Sequence, residues 1–257
     1  MKFFVLKSKH IKYFFLVMVC MILLAVSIDG VKSAQVFFGY SVKKTPIYCV
    51  NTQENKVAIS FDAAWGADKT LSIMENLKEY NANATFFLVG FWADKYADLV
   101  KQIDENGFEI GTHSNTHPDM TTLSKQQMQE ELDLSIELIK KNTGKNVELF
   151  RPPYGAYNNT LLEVCEEKKL YPIQWDVDSL DWKGLSAEEI TSRITSSVKN
   201  GSIILCHNNS DHIVEALPMI LSRLKQMNFK VCSVGDLIFK QNYTIDRNGV
   251  QISNNAE

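Results

Sequence analysis

From Val57 onward the chain repeats one unit, a short run rich in β-branched and aromatic residues followed by a stretch with helical spacing of apolar positions. This rhythm restricts the fold more than any other feature, because alternating β and α segments stack as parallel strands with the helices packed outside. The strand candidates are Val57 to Phe61, Ala84 to Val89, Phe108 to Gly111, Val147 to Phe150, Tyr171 to Trp175, Ile203 to Leu205 and Phe229 to Ser233. Between them lie helical patterns at Asp68 to Tyr80, Ser124 to Lys141, Tyr157 to Lys168 and Ser186 to Val198. Ser124 with Gln127, and Ser186 with Glu189, read as capping boxes. A further helix, Ile213 to Met227, contains Pro218 and is expected to kink or to begin late. Seven such units between Val57 and Ser233 predict a barrel more than an open sheet. Ahead of the first unit, Ile47 to Val50 reads as a lead-in strand, and the asparagine-rich stretch after Lys240 as a loose end.

The polar residues suited to chemistry fall at the carboxyl ends of these runs: Asp62, His113, Arg151, Asp178 with Asp181, and His207. A parallel α/β barrel gathers such ends on one face. The strongest local signal is His113-Ser114-Asn115-Thr116-His117, two imidazoles spaced to close on one metal ion. Each residue has a structural reading when taken singly: a solvated histidine pair, a helix-start carboxylate at Asp62, a loop arginine at Arg151, a turn at Asp181-Trp182. Taken together at successive strand ends they fit metal-assisted hydrolysis. In that chemistry a carboxylate takes a proton from water and a histidine returns one to the leaving group.

Composition narrows the partners. The first residues carry Lys2, Lys7, Lys9 and Lys12 ahead of an apolar run from Tyr13 to Ile28, the layout of a secretory leader. Val31-Lys32-Ser33 offers a cleavage site, and an uncleaved run would serve as a short membrane anchor. The chain is therefore expected to be exported, with membrane contact through this segment if it is retained. Beyond residue 33 there remain 22 basic and 29 acidic residues, a charge of −7. That balance argues against a nucleic-acid partner, which requires clustered Lys and Arg. Cys49, Cys165, Cys206 and Cys232 are expected as buried thiols, with a Cys206 to Cys232 bridge as the one pairing to check.

Five ordered segments resemble the motifs of the polysaccharide deacetylases that carry the NodB homology domain, carbohydrate esterase family 4. Ser60-Phe61-Asp62-Ala63 is similar to the first motif, Thr-Phe-Asp-Asp, and His113 to His117 to the metal motif His-Ser/Thr-x-x-His. Arg151-Pro152-Pro153-Tyr154-Gly155, Asp178-Ser179-Leu180-Asp181-Trp182 and Leu205-Cys206-His207 resemble the third, fourth and fifth. The resemblance implies a deformed (β/α) barrel of the NodB homology type over residues 56–240, preceded by a leader or anchor (1–33) and a lead-in segment (34–55), and followed by a polar tail (241–257). It implies Asp62 as catalytic base, Arg151 as its orienting partner and His207 as general acid tuned by Asp181. His113 and His117 would be metal ligands, the Tyr154 backbone N–H would face the oxyanion, and Trp182 and Leu205 would line an acetyl pocket. The implied cofactor is a divalent metal, zinc or alternatively cobalt, and the implied partner is an N-acetylated glycan of the cell wall. Phe61-Asp62-Ala63-Ala64-Trp65-Gly66 further resembles the sporulation-type members.

One position departs from the pattern. Ala63 stands where the family has a second aspartate that ligates the metal, and a methyl group donates nothing. Two functions follow: an N-deacetylase of peptidoglycan, spore cortex included, or a catalytically weak or inactive glycan-binding protein. Replacing Ala63 by Asp should tighten metal binding, with more acetate released in the first case and none in the second.

Overall fold

The computed structural model describes residues 8–28 and 43–254. Residues 44–257 form one compact unit, and residues 1–43 are a separate one containing helix α1, Ser8–Ile28. The proposed cleavage site, Val31-Lys32-Ser33, lies outside the described residues. Among the described residues no helix is long and apolar enough to cross a membrane.

In the compact unit the elements run β1 Cys49–Val50, β2 Lys56–Ala63, α2 Thr70–Glu79, β3 Thr85–Leu88, α3 Gly90–Lys95, α4 Ala97–Glu105 and β4 Glu109–Thr112. They continue α5 Lys125–Thr143, β5 Leu149–Phe150, α6 Asn159–Glu167, β6 Tyr171–Pro172, β7 Val177–Asp178, α7 Ala187–Ser197, β8 Ile203–His207 and α8 Ile213–Gln226. The last are β9 Lys230–Cys232, α9 Val234–Leu237, β10 Tyr243–Ile245 and β11 Val250–Ser253. The main sheet is parallel in the order β6-β5-β4-β3-β2-β8-β7, with β9 on the lower end of β2. Both capping boxes form, at Ser124 with Gln127 and at Ser186 with Glu189.

Strand β2 sets the layers. Val57, Ile59, Phe61 and Ala63 pack with the buried faces of α2 and α8, while Ala58, on the opposite parity, joins an inner cluster with Phe87, Leu149, Ile173 and Ile203. The strand is buried on both faces, which is why its sequence is nearly continuous in apolar residues. The same two faces account for the cysteines. All four are buried and free; Cys206 belongs to the outer cluster and Cys232 to the inner one, so the bridge between them does not form.

The main sheet is an open path, and the lead-in strand bridges from its β6 end to the residues that enter β8. Ile47 N donates to Pro172 O at 2.9 Å, Gln174 N donates to Ile47 O at 2.7 Å, and Val50 N donates to Gly201 O at 2.9 Å. Gly201 must be glycine here: its φ is +78°, and a Cβ would lie 1.8 Å from Val50 O. The result is a barrel with a patched seam, the deformed (β/α) barrel expected.

Two expectations are corrected, and three elements are new. The tail is not loose, because β10 and β11 pair antiparallel and β11 lies parallel to β1, in register at Cys49 with Val250. Helix α8 begins at Ile213 and runs unbroken through Pro218. Proline cannot donate to Val214 O, and Asn76 Nδ2 from α2 donates to that carbonyl instead, at 3.0 Å. Finally α3, α4 and β7 were not read from the sequence: α3 starts at Gly90 without a side-chain cap, and β7 is two residues long.

Candidate active site

Five strands deliver the expected polar residues to one end of the barrel. Asp62 lies in β2, His113 directly follows β4, Arg151 directly follows β5, Asp178 ends β7 and His207 ends β8. Asp62 and Arg151 are both buried, and Arg151 Nη1 donates to Asp62 Oδ1 at 2.7 Å. Other contacts fix Arg151: Nη2 donates to Gln174 O at 3.2 Å, and the guanidinium sits 4.2 Å from the Phe87 ring centroid and 5.6 Å from that of Trp175. Burial is the largest single influence and works against ionisation of Asp62, but the charge and hydrogen bond of Arg151, together with the charges of His113 and His207, outweigh it and hold the carboxyl below its ordinary range. An ionised carboxylate with Oδ2 free of the arginine can accept a proton.

The histidine pair occupies a tight turn. Ser114 and His117 have φ of 68° and 59°, left-handed values that cost non-glycine residues about 1 kcal/mol each. Glu131, reaching from α5, holds the turn: its Oε2 accepts from Asn115 N and Thr116 N at 2.9 and 2.8 Å, and its Oε1 accepts from Thr116 Oγ1 at 2.7 Å. His113 Nδ1 donates to Arg151 O at 2.7 Å, which leaves Nε2 as a lone pair 3.5 Å from Asp62 Oδ2. The ring of His117 packs against those of His113, Trp65 and Tyr154 at centroid distances of 4.8, 4.9 and 4.7 Å. Burial keeps both imidazoles neutral, lowering His113 and bringing His117 down to about 4.

Beside Asp62, on the neighbouring strand β8, stands a second pair. Asp181 Oδ1 accepts from His207 Nδ1 at 2.7 Å, and its Oδ2 accepts from the His207 main-chain N–H at 2.8 Å. One carboxylate thus fixes both ring and backbone. Burial disfavours a charged His207, but the hydrogen bond and charge of Asp181 prevail and raise its pKa above the ordinary imidazole value. Asp62, His113, His117, Tyr154, Asp178, Trp182, Leu205 and His207 all line one cavity of about 610 Å³. Arg151 and Asp181 stand behind it, touching Asp62 and His207.

Sequence reasoning missed Trp65, Trp175 and Asn209 on the cavity wall and Glu131 behind the turn. Trp65 carried a signal, an aromatic directly past a strand end before a glycine. Glu131 carried none, since its role depends on α5 passing behind the turn. Ala63 is fully buried in the outer apolar cluster, and its neighbour Ala64 lines the cavity.

The donors fit a divalent ion in kind. Both imidazoles are neutral, His113 is oriented through its other nitrogen, and His117 Nδ1 is buried with no hydrogen-bond partner. They fall short in number, because among the described residues no group of three His, Cys, Asp or Glu gathers to hold a metal.

The family profile described as "Polysaccharide deacetylase" matches residues 50–173. The peptidoglycan-N-acetylmuramic acid deacetylase PdaA of Bacillus subtilis is 30% identical over 203 residues, 77% of each chain. A peptidoglycan-N-acetylglucosamine deacetylase of Bacillus cereus is 34% identical over 174 residues, 66% of this chain and 63% of that one. Among solved structures, a carbohydrate esterase family 4 pseudoenzyme of Bacillus anthracis superposes with a TM-score of 0.73 at 31% identity, covering 76% of this chain and 69% of that one. A mutant of that pseudoenzyme with restored enzymatic activity matches with the same TM-score at 32% identity, covering 76% of this chain and 72% of that one. The chain thus spans less than two thirds of the B. cereus relative's own length.

Proposed function

Because this chain belongs to the polysaccharide deacetylase family, we propose that it is exported and removes acetyl groups from the N-acetylated sugars of a cell-wall glycan, the peptidoglycan of the wall or the spore cortex. The observation that carries the reading is two differently tuned pairs at one cavity, Asp62 with Arg151 and His207 with Asp181, brought together because Asp62 and His207 are register partners on β2 and β8. The ionised Asp62 takes a proton from water as its oxygen attacks the acetyl carbonyl. The protonated His207 then gives a proton to the amide nitrogen as the C–N bond breaks, releasing acetate and a free amine. Tyr154 and Trp182 lie on the cavity wall, suited to the oxyanion and the acetyl methyl, with Leu205 beneath. His113 and His117 would hold a divalent ion, zinc or cobalt, whose contribution when bound is to polarise that carbonyl. Secretion or anchoring through residues 1–33, and a role in sporulation, complete the proposal.

The test is acetate release from N-acetylated peptidoglycan fragments with zinc or cobalt added. The Asp62→Asn and His207→Ala variants should each lose activity by about a hundred- to ten-thousand-fold with the fold intact. Acetate release unchanged in either would sink the assignment.

Ala63 and the two-histidine donor set favour a second reading, a glycan-binding protein with little or no turnover. The Ala63→Asp variant separates the two. A carboxylate placed in the apolar cluster lowers the melting temperature of the metal-free protein, and a third donor tightens zinc. Tighter zinc with more acetate identifies an under-coordinated enzyme; tighter zinc with none identifies a binder. Unchanged zinc affinity means the new side chain stays in the apolar layer.

A further inference from the structure

Two packed elements grip the turn that carries both histidines, and they hold different groups. The start of α3 takes its carbonyls: Gly90 N donates to Ser114 O at 2.9 Å, and Phe91 N donates to Asn115 O at 3.1 Å. The approach is close, since a Cβ on Gly90 would lie 2.2 Å from Asn115 Oδ1. Helix α5 takes its N–H groups, because one carboxylate, Glu131, accepts from Asn115 N, Thr116 N and Thr116 Oγ1. The fully buried Ser114 closes the turn from within, its Oγ accepting from His117 N at 3.0 Å. Glu131 itself stands behind the turn and is not among the residues that line the cavity.

That grip acts where the backbone is strained. Asn115 and Thr116 are the two residues between the left-handed Ser114 and His117, so a turn that lost its hold on them would relax toward ordinary dihedrals. Relaxation would carry His117 away from His113, whose ring centroid is 4.8 Å from its own. Hydrogen bonds to a carboxylate are about twice as strong as those between neutral groups, and three converge here. The small donor set makes the grip matter more. Three protein ligands restrain an ion between them, whereas two imidazoles depend on standing at the correct spacing before the ion arrives.

We propose that Glu131 is a positioning residue for the metal donors: through hydrogen bonds it holds His113 and His117 at binding distance in the empty protein, and so compensates in part for the ligand that Ala63 does not supply. This rests on the reading of the histidine pair given above and deepens it. Glu131 lies outside all five sequence motifs and touches neither imidazole, so its effect reaches the ion through the backbone of the turn.

The experiment is calorimetric titration of the full chain with zinc, comparing wild type, Glu131→Gln, Glu131→Met and Glu131→Ala. Glu130→Ala is the control, an exposed neighbour on the same helix whose Oε1 accepts from Gln126 Nε2. Met keeps the length and helix preference of Glu without its acceptors, so either it or Ala carries the test if circular dichroism shows that the other fails to fold. Both should bind zinc about ten- to a hundred-fold more weakly than wild type. Gln retains a carbonyl acceptor for the two N–H groups and should recover most of that loss, and Glu130→Ala should match wild type. In the metal-free proteins, hydrogen exchange at the amides of Asn115 and Thr116 should be faster in Met and Ala, while exchange in β2 and β8 stays as in wild type. Unchanged zinc affinity in Met and Ala overturns the positioning role and leaves the deacetylase reading in place. Weaker zinc with unchanged exchange at the turn overturns it too. A Gln variant as weak as Met would mean that the charge acts on the ion from a distance, which also overturns positioning. A wild type that takes up no zinc overturns the metal role of the histidines and this inference together.

Discussion

His207 is the residue at which pH acts most directly. Buried alone, its imidazole would resist protonation, yet Asp181 raises its pKa above the ordinary value of about 6.5. The stabilisation from this pair is fully present below the unfolded pKa and is lost as pH rises through the higher folded one. Asp181→Asn keeps the side-chain shape and removes the charge, so burial becomes the dominant influence. The imidazole proton resonances of His207 should then titrate below about 6.5 in the variant and above it in the wild type. The stability gap between the two proteins should be largest in acid and shrink in alkali, and the alkaline limb of any acetate release should move to lower pH. A His207 midpoint that does not move would remove Asp181 from its role.

Among the elements, β4 shows how a residue without a functional group shapes the site. Gly111 lies beside the Phe87 ring, and a Cβ there would stand 2.6 Å from two of its carbons and 3.1 Å from Leu149 O. That ring is the floor under the Arg151 guanidinium. Gly111→Ala should therefore cost about 1–3 kcal/mol by overpacking and also loosen Arg151 from Asp62. The check is a lower melting temperature together with a rise in the Asp62 pKa, read by carboxylate NMR. A destabilised protein with Asp62 untouched would show that Phe87 only fills space.

For the whole molecule, the closing elements are the two ends of the compact unit. Strand β11 pairs with β1, Asn51 N donates to Gln251 O at 2.8 Å, and the buried Gln251 exchanges hydrogen bonds with both main-chain groups of Phe239. Since β1 is continuous with the segment that spans the open seam of the barrel, truncation after Lys240 should weaken that seam. Several lost hydrogen bonds at about 1 kcal/mol each predict a fall in melting temperature of about 10 °C by calorimetry. An unchanged transition would return the tail to the loose end that its composition suggested.

Periodicity and residue type alone determined the seven strands of the repeat, the capped starts of α5 and α7, and the identity of the strand-end residues Asp62, His113, Arg151, Asp178 and His207. These are local matters, governed by dihedral preference and by which face of an element must leave water. The burial of the four thiols was legible for the same reason. Tertiary structure decided what depends on contacts between distant segments: the pairing of the tail with the lead-in strand, the carbonyl of Val214 rescued by Asn76, and the grip of Glu131 on the histidine turn. Composition made residues after Lys240 look unstructured because no single stretch there can bury itself, and pairing with β1 removed that limit. The placement of Ala63 belongs to the same class. Its neighbour Asp62 was readable as a site residue, but which of Ala63 and Ala64 faces the cavity depended on how β2 ends against β3 and β8, and no local pattern records that.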